Sequence, residues 1–301
     1  SLDQKIPRFQ AGDRALRTKG FAMVDGLSVK TNTSANIALQ QLTILSKRIE
    51  TTQLRITTGL KVSGPQDDVA TFQIATRLRG DVAGLGAVKT ALANGDSIVS
   101  VAIAAGDAIT DLLTEIKGKV VQANQSGLDT ASRSALEEDF QSLRSQIETI
   151  VSTADFNAVN LIDASATNLD VLSSVAGSVI TVSAQSLDTT TLGINAESLS
   201  TSSAAANALT AIETAIDLAA NKLAALGSSA AGLEIQSQFT TTLINVIEEG
   251  IGNLVDADLA EESAKLQSLQ VQQQLSVQAL AIANAAPSLV LNLFPIPGSQ
   301  R

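Results

Sequence analysis

Two stretches at opposite ends of the chain carry apolar residues at alternating spacings of three and four, and the middle of the chain matches neither. Near the front, Ala35, Ala38, Leu42, Leu45, Ile49, Thr52 and Ile56 keep that spacing. Near the back, Leu259, Leu266 and Leu269 mark one stripe over residues 255–294, and Val271, Leu275, Ile282 and Leu289 mark a second, offset one. Such spacing is the mark of α-helices that seam together. A helix with two apolar stripes has to be covered from two sides. One partner from the same chain leaves the second stripe bare, so other copies are implied and the chain reads as a building block.

Composition narrows the chemistry. Of 301 residues 45% are hydrophobic, enough for a sizeable core, but aromatics are 2%, with no Trp and no Tyr. Small aliphatic side chains suit close helix packing and offer no platform for stacking bases or sugar rings. Histidine and cysteine are absent, which removes the usual general base, the commonest metal ligand, the thiol nucleophile and any disulfide. Carboxylate pairs such as Asp67-Asp68, Glu137-Glu138, Glu248-Glu249 and Glu261-Glu262 sit near predicted helix starts or on exposed faces, where carboxylates are ordinary. No catalytic, cofactor-binding or metal-binding residue is therefore expected, and no enzyme. The net charge of −10 excludes nucleic acid as a partner by the counterion argument. No run of 18 uninterrupted apolar residues occurs, so no membrane insertion is expected.

A pass along the chain predicts a first helix over about 33–58, stopped by Gly59. An irregular stretch with a Gly64-Pro65 turn follows. Asp67 and Asp68 then open a short helix that carries Phe72, Ile74, Ala75 and Leu78 inward and ends near Gly80. A long helix spans about 92–125, and Asp129 caps the next, whose stripe is Leu136, Phe140, Leu143, Ile147, Ile150 and Ala154. Residues 160–203 are rich in Ser, Thr, Asp and Asn and should face outward. Within them Leu169–Leu172 and Val179–Val182 flank Ala176-Gly177-Ser178 and read as a β-hairpin. A helix returns over about 204–250, its stripe shifting phase to Ile235, Phe239, Leu243 and Val246 with an irregularity at Gly227 and Gly232. The Gln cluster at 267, 270, 272, 273, 274 and 278 reads either as solvated face or as seam amides that penalise wrong registers.

Several segments resemble bacterial flagellin. SVKTNTSANIALQQL resembles that family's opening segment, TTQLRITTGLKVSGPQDDVATFQIATRLRGDV the segment after its first helix, and FNAVNLI its signature after the third helix. The stretch from Gly250 to Phe294 is similar to its closing helix. GDAITDLL and DLAEESAKLQSLQ are most like the short flagellins of alphaproteobacteria.

The resemblance implies a mainly α fold, an elongated antiparallel helical bundle with terminal coiled-coil helices and a small β-hairpin region. It implies paired terminal helices at 27–60 and 254–294 forming an inner tube, and a rod domain at 61–253 with three long helices and a β-hairpin patch at about 160–203. It also implies a structural filament subunit that self-assembles for swimming motility. Such a subunit is secreted through the flagellum's own channel and meets hook-junction proteins, a filament cap and an export chaperone. O-glycosylation of the outward patch at Ser173, Ser174, Thr181 and Ser183 stands beside the plain reading of a solvated hairpin. Met23 sits where flagellins begin, so residues 1–22 look foreign to the family; 1–26 read as a disordered N-terminal extension, and 295–301, with Pro295 and Pro297, as a second addition. Lys30 and Ala158 stand where relatives carry Asn and Gly. The alternatives are a hook-junction protein of the same fold and a cell-surface homologue that binds polysaccharide; the scarcity of aromatics weighs against the second.

Overall fold

A computed structural model of the chain describes residues 31–292, with side chains through 285. The extensions at 1–26 and 295–301, and the side chain of Leu289, lie outside the described residues. The chain is mainly helical: α1 (Thr33–Thr58), α2 (Val69–Ala123), α3 (Thr130–Thr153), α4 (Ser202–Val255) and α5 (Leu259–Asn292), with short strands β1 (Asp155–Phe156), β2 (Val159–Asn160), β3 (Leu169–Leu172) and β4 (Val179–Val182) between α3 and α4. It divides into two compact units at 61/62 and 256/257, the first built from α1 and α5, the second from everything between.

In the second unit, polar caps set the helix starts. Asp68 accepts from the N–H groups of Ala70 and Thr71 to open α2, Asp129 accepts from Ser132 N–H to open α3, and Thr201 accepts from Ala204 N–H to open α4. The expected helix end at Gly80 does not occur: α2 runs unbroken for 55 residues. Glycine in a helix costs about 1 kcal/mol relative to Ala, and tertiary packing overrides it here. A Cβ on Gly95 would lie 2.6 Å from Val171 Cγ2, and one on Gly106 2.6 Å from Leu223 Cδ2. These glycines let the hairpin and α4 approach closely. α4 likewise passes through Gly227 and Gly232 without interruption and extends to Val255, which the periodicity had assigned to the terminal helix.

The core of this unit lies between α2, α3 and α4. Ile109, Leu113, Ile116, Phe140, Ile147 and Ile212 are fully buried. The alanines Ala205, Ala208, Ala215 and Ala219 line the inner face of α4. On α3 the buried positions are Phe140, Leu143, Ile147 and Val151, with Leu136 and Ile150 packed at their edge. By length and composition α2 is apolar enough to cross a membrane. Its inner stripe is spent on the bundle core, and Asp96, Asp107, Asp111, Glu115, Lys117 and Lys119 lie along the same helix. That arrangement matches the core helix of a helical bundle.

Two inward assignments are corrected. Ile74 is 51% exposed, because α2 turns Ala75 inward instead. Ile235, Phe239 and Val246 are also exposed; α4 meets α2 through Leu226, Leu233 and Thr240, a different face.

β3 and β4 pair antiparallel from Leu169↔Val182 to Leu172↔Val179. A second, smaller hairpin, not anticipated from the sequence, pairs Phe156 with Val159. Its two turn residues, Asn157 and Ala158, have φ of 53° and 61°, the left-handed pair that a two-residue hairpin turn requires. Asn160 then locks the chain to α3, donating to Val151 O at 2.7 Å and accepting from the N–H groups of Ile162 and Asp163.

The segment after β4 does not simply face outward. Leu187, Leu192, Ile194 and Leu199 are buried and close the core over α3. Their polar neighbours are satisfied: Asp188 accepts from the N–H groups of Thr190 and Thr191 and from the Thr191 hydroxyl, Glu148 accepts from Thr189, and Glu137 accepts from Leu199 N–H and Ser198. Burial raises the Asp188 pKa, and the Thr191 and Thr190 donors outweigh it, so the net shift is downward from 3.8.

Candidate assembly surface

The first unit is a two-helix seam. On α1 its inward positions are Ala35, Ala38, Leu42, Leu45, Ile49, Thr52 and Ile56, all buried or half-buried. On α5 they are Glu262, Leu266, Leu269, Gln273, Ser276, Leu280 and Ala283, spaced alternately four and three. Among the described residues its buried apolar side chains are Leu45, Ile49 and Leu269, with Leu266 packed against them. Each contributes roughly 1.5–3 kcal/mol, a thin return for ordering helices of 26 and 34 residues at about 1–2 kcal/mol of backbone entropy per residue.

Polar clamps fix the register. Asn32 caps α1 by accepting from Ala35 N–H at 3.0 Å and donates to Ala283 O of α5 at 2.7 Å. Farther along, Arg55 Nη1 donates to Glu262 Oε1 at 2.9 Å, and Lys265 Nζ lies 3.5 Å from Glu262 Oε2. The side chain of Glu262 is 10% exposed. Burial raises the Glu262 pKa, while the Arg55 hydrogen bond and the Lys265 and Arg55 charges pull it down further, leaving it below its ordinary 4.5. At the end of the seam Ala257 N–H donates to Gly59 O at 2.8 Å. Gly59 itself has φ +73° and ends α1 by donating to Arg55 O.

α5 also carries a second frame. Glu261, Ala264, Ser268, Val271, Leu275, Gln278 and Ile282 follow each other at spacings of three and four, and every one is exposed. Val271, Leu275 and Ile282 are 55%, 57% and 72% accessible. On α1 a parallel frame of Ile37, Gln41, Ile44, Arg48, Thr51 and Arg55 flanks the seam, with Ile37 and Ile44 exposed. Of the residues singled out in the sequence, Leu42, Leu45, Ile49, Ile56, Leu266 and Leu269 lie in the seam. Leu259, Val271, Leu275 and Ile282 lie on bare surface. Sequence reasoning missed Glu262, Gln273 and Ser276 as seam members, and Arg55 as the partner of Glu262 at its flank, because they are polar. Of the Gln cluster only Gln273 turns into the seam.

Charge is divided between the units. Residues 62–256 hold 23 Asp and Glu against 8 Lys and Arg, whereas the described part of the first unit carries Lys47, Arg48, Arg55, Lys61 and Lys265 against Glu50, Asp258, Glu261 and Glu262.

In the hairpin, Ser173 and Ser174 are half-buried and hold the turn through Ser178, with Ser173 Oγ donating to Ser178 O and Ser174 Oγ accepting from Ser178 N–H. Thr181 donates to Asp170 at 2.6 Å. Ser183 is exposed.

Comparison with known proteins places these features. The model of the bacterial flagellin N-terminal helical region matches residues 29–167, and that of the bacterial flagellin C-terminal helical region matches 209–294. Flagellin FljK of Caulobacter vibrioides is 46% identical over 268 residues, covering 89% of this chain and 98% of that protein. The flagellin of Brucella melitensis is 38% identical over 280 residues, covering 89% of this chain and 99% of its own length. A solved structure described as a flagellar hook-associated protein from Vibrio parahaemolyticus shares the fold with TM-score 0.54 at 13% identity, over 63% of this chain and 100% of that one. With both helical regions matched and close relatives aligned along nearly their whole length, the chain belongs to the bacterial flagellin family and is a structural subunit of the flagellar filament.

Proposed function

We propose that this flagellin polymerises through the first unit, whose helices cover each other on one stripe and leave another for neighbouring copies. The observation that carries the reading is the second frame of α5, apolar at Val271, Leu275 and Ile282 and exposed in a single chain. A contact of this kind joins two different surfaces of the same molecule and does not close on itself, so it yields an open helical array. Burial of these side chains on assembly, at roughly 1.5–3 kcal/mol each, supplies the stability that the thin seam lacks. The polymer works outside the cell, after export through the flagellum's own channel. Hook-junction proteins at its base, a filament cap at its tip and an export chaperone holding the free subunit are its further partners. Among the hydroxyls considered for O-glycosylation, Ser183 is the acceptor this reading favours, since the other three serve the hairpin itself.

Seeded polymerisation followed by electron microscopy tests the reading. Val271→Asp with Ile282→Asp should leave the helical content of the second unit intact and abolish filaments. Filaments forming at the wild-type concentration would overturn it. Mass spectrometry of native filaments tests the sugar: an unmodified Ser183 removes that part of the proposal alone.

A further inference from the structure

We infer that the cavity beside the α1–α5 seam binds a phosphate-class oxyanion, held by Lys47, Arg48, Lys265 and the Thr52 hydroxyl, and that this ligand ties the two helices of the free subunit together. The inference concerns the single chain and stands apart from the assembly reading above.

Thr52 is the first pointer. It holds a seam position between Ile49 and Ile56, where an aliphatic side chain would pack as well, and it is 2% exposed. On the same helix Thr43, Thr51, Thr57 and Thr58 each donate a side-chain hydrogen bond to the carbonyl four residues back. The Thr52 hydroxyl makes no such bond to Arg48 O, and it has no other partner among the described residues. Buried polar groups are ordinarily satisfied, so this one calls for an acceptor from outside the chain. Thr52 lines a cavity of about 470 Å³ walled by α1 and α5.

The charges around that cavity are the second pointer. Lys47, Arg48, Arg55 and Lys265 line it, and no carboxylate does. Arg55 is paired with Glu262 at 2.9 Å, and Lys265 keeps a longer contact of 3.5 Å with the same residue. Among the described residues Lys47 and Arg48 have no carboxylate partner. On a chain of net charge −10 this is a local reversal of sign, and it draws an anion from solution.

The donor set decides the class of anion. Two ammonium groups, a guanidinium fork and a hydroxyl offer more donors than a planar carboxylate can accept, and they suit the several oxygens of a phosphate group. Thr51 adds no donor, since its hydroxyl is spent on Lys47 O at 2.9 Å. Ile44 and Leu269 supply the apolar part of the lining, which leaves a place for the body of a phosphate ester. Such a ligand touches α1 through Lys47, Arg48 and Thr52 and α5 through Lys265. Binding therefore favours the paired helices over separated ones.

Hydrogen exchange of α1 amides in the full chain, kept monomeric by light scattering, tests this. Inorganic phosphate should slow exchange around Thr52, saturably and more than chloride of equal ionic strength. K47Q/R48Q should abolish the response. Thr52→Val keeps the shape and should weaken phosphate binding by about tenfold, the loss of one hydrogen bond to a charged group. A Thr52 with a merely structural role would leave the phosphate response unchanged. Phosphatidic acid vesicles, set against phosphatidylcholine vesicles, form the second arm. Slowing by phosphatidic acid alone, lost in K47Q/R48Q, supports the site and makes a lipid headgroup its source. Equal slowing by chloride, a response that survives either variant unchanged, or no response to phosphate and vesicles alike overturns the inference and leaves the assembly reading intact.

Discussion

The second unit is closed and the first is open. In the second, Phe140, Ile109 and Ile212 are sealed from water, and the carboxylates that accompany the core are matched by donors from the loop that covers it. In the first, Leu45, Ile49 and Leu269 are the buried aliphatic side chains among the described residues, and Val271, Leu275 and Ile282 of α5 face solvent. The same kinds of residue, mostly Ala, Leu, Ile and Val, build both. What differs is how many partners each helix finds within its own chain. α2 meets α3, α4 and the hairpin, whereas α5 packs on α1. Self-sufficiency in one unit and dependence in the other divide folding from assembly.

The contrast can be broken most forcefully from the closed side. Phe140→Ala should destabilise the second unit by about 3–5 kcal/mol, seen as a lower denaturant midpoint in free monomer. A cost near zero would mean that this core is no better sealed than the seam. Next, Gly95→Val forces a side chain into Val171, 2.6 Å from where its Cβ would lie, and should cost about 1–3 kcal/mol by overpacking. Hydrogen exchange at Val171 and Ile180 would report it.

On the open side the clamp is the weak point. Glu262 has a folded pKa below 4.5, so its contribution is complete above the ordinary carboxylate range and is lost as pH falls through the depressed value. Glu262→Gln should cost the first unit about 2 kcal/mol near neutrality and remove its share of the acid sensitivity. Exchange protection of α1 amides, measured against pH, checks both. The smallest effect belongs to the minor hairpin: Ala158→Gly relieves a left-handed alanine at φ 61° and should stabilise the second unit by about 1 kcal/mol. An unchanged midpoint would show that the turn carries no strain.

Local signals were legible and tertiary ones were not. The main hairpin was readable because two β-prone runs bracket a glycine turn, and the start of α3 because Asp129 precedes a clean apolar frame. The continuity of α2 through Gly80 was not, since glycine advertises a break and only the partners packed along the helix override it. The minor hairpin was hidden because its turn carries Asn157 and Ala158 in place of a glycine. At the assembly surface, Val271, Leu275 and Ile282 were visible as a stripe. Glu261, Ala264, Ser268 and Gln278 share their frame without being apolar, so only the helix geometry groups them. The basic groove beside the seam, lined by Lys47, Arg48, Arg55 and Lys265, had a faint signal, adjacent Lys47 and Arg48 in an acidic chain, that means little until α5 brings Lys265 beside them.

The covered seam and the exposed frame occupy different faces of α5, so a subunit can be spoiled for growth without being spoiled for folding. A copy carrying Val271→Asp keeps an intact seam but presents a spoiled outer frame. It would be accepted or refused according to which end of the polymer it meets. Traces of such a copy mixed with normal subunits should act as a one-sided terminator, and the resulting length distribution would reveal the end at which subunits are gained.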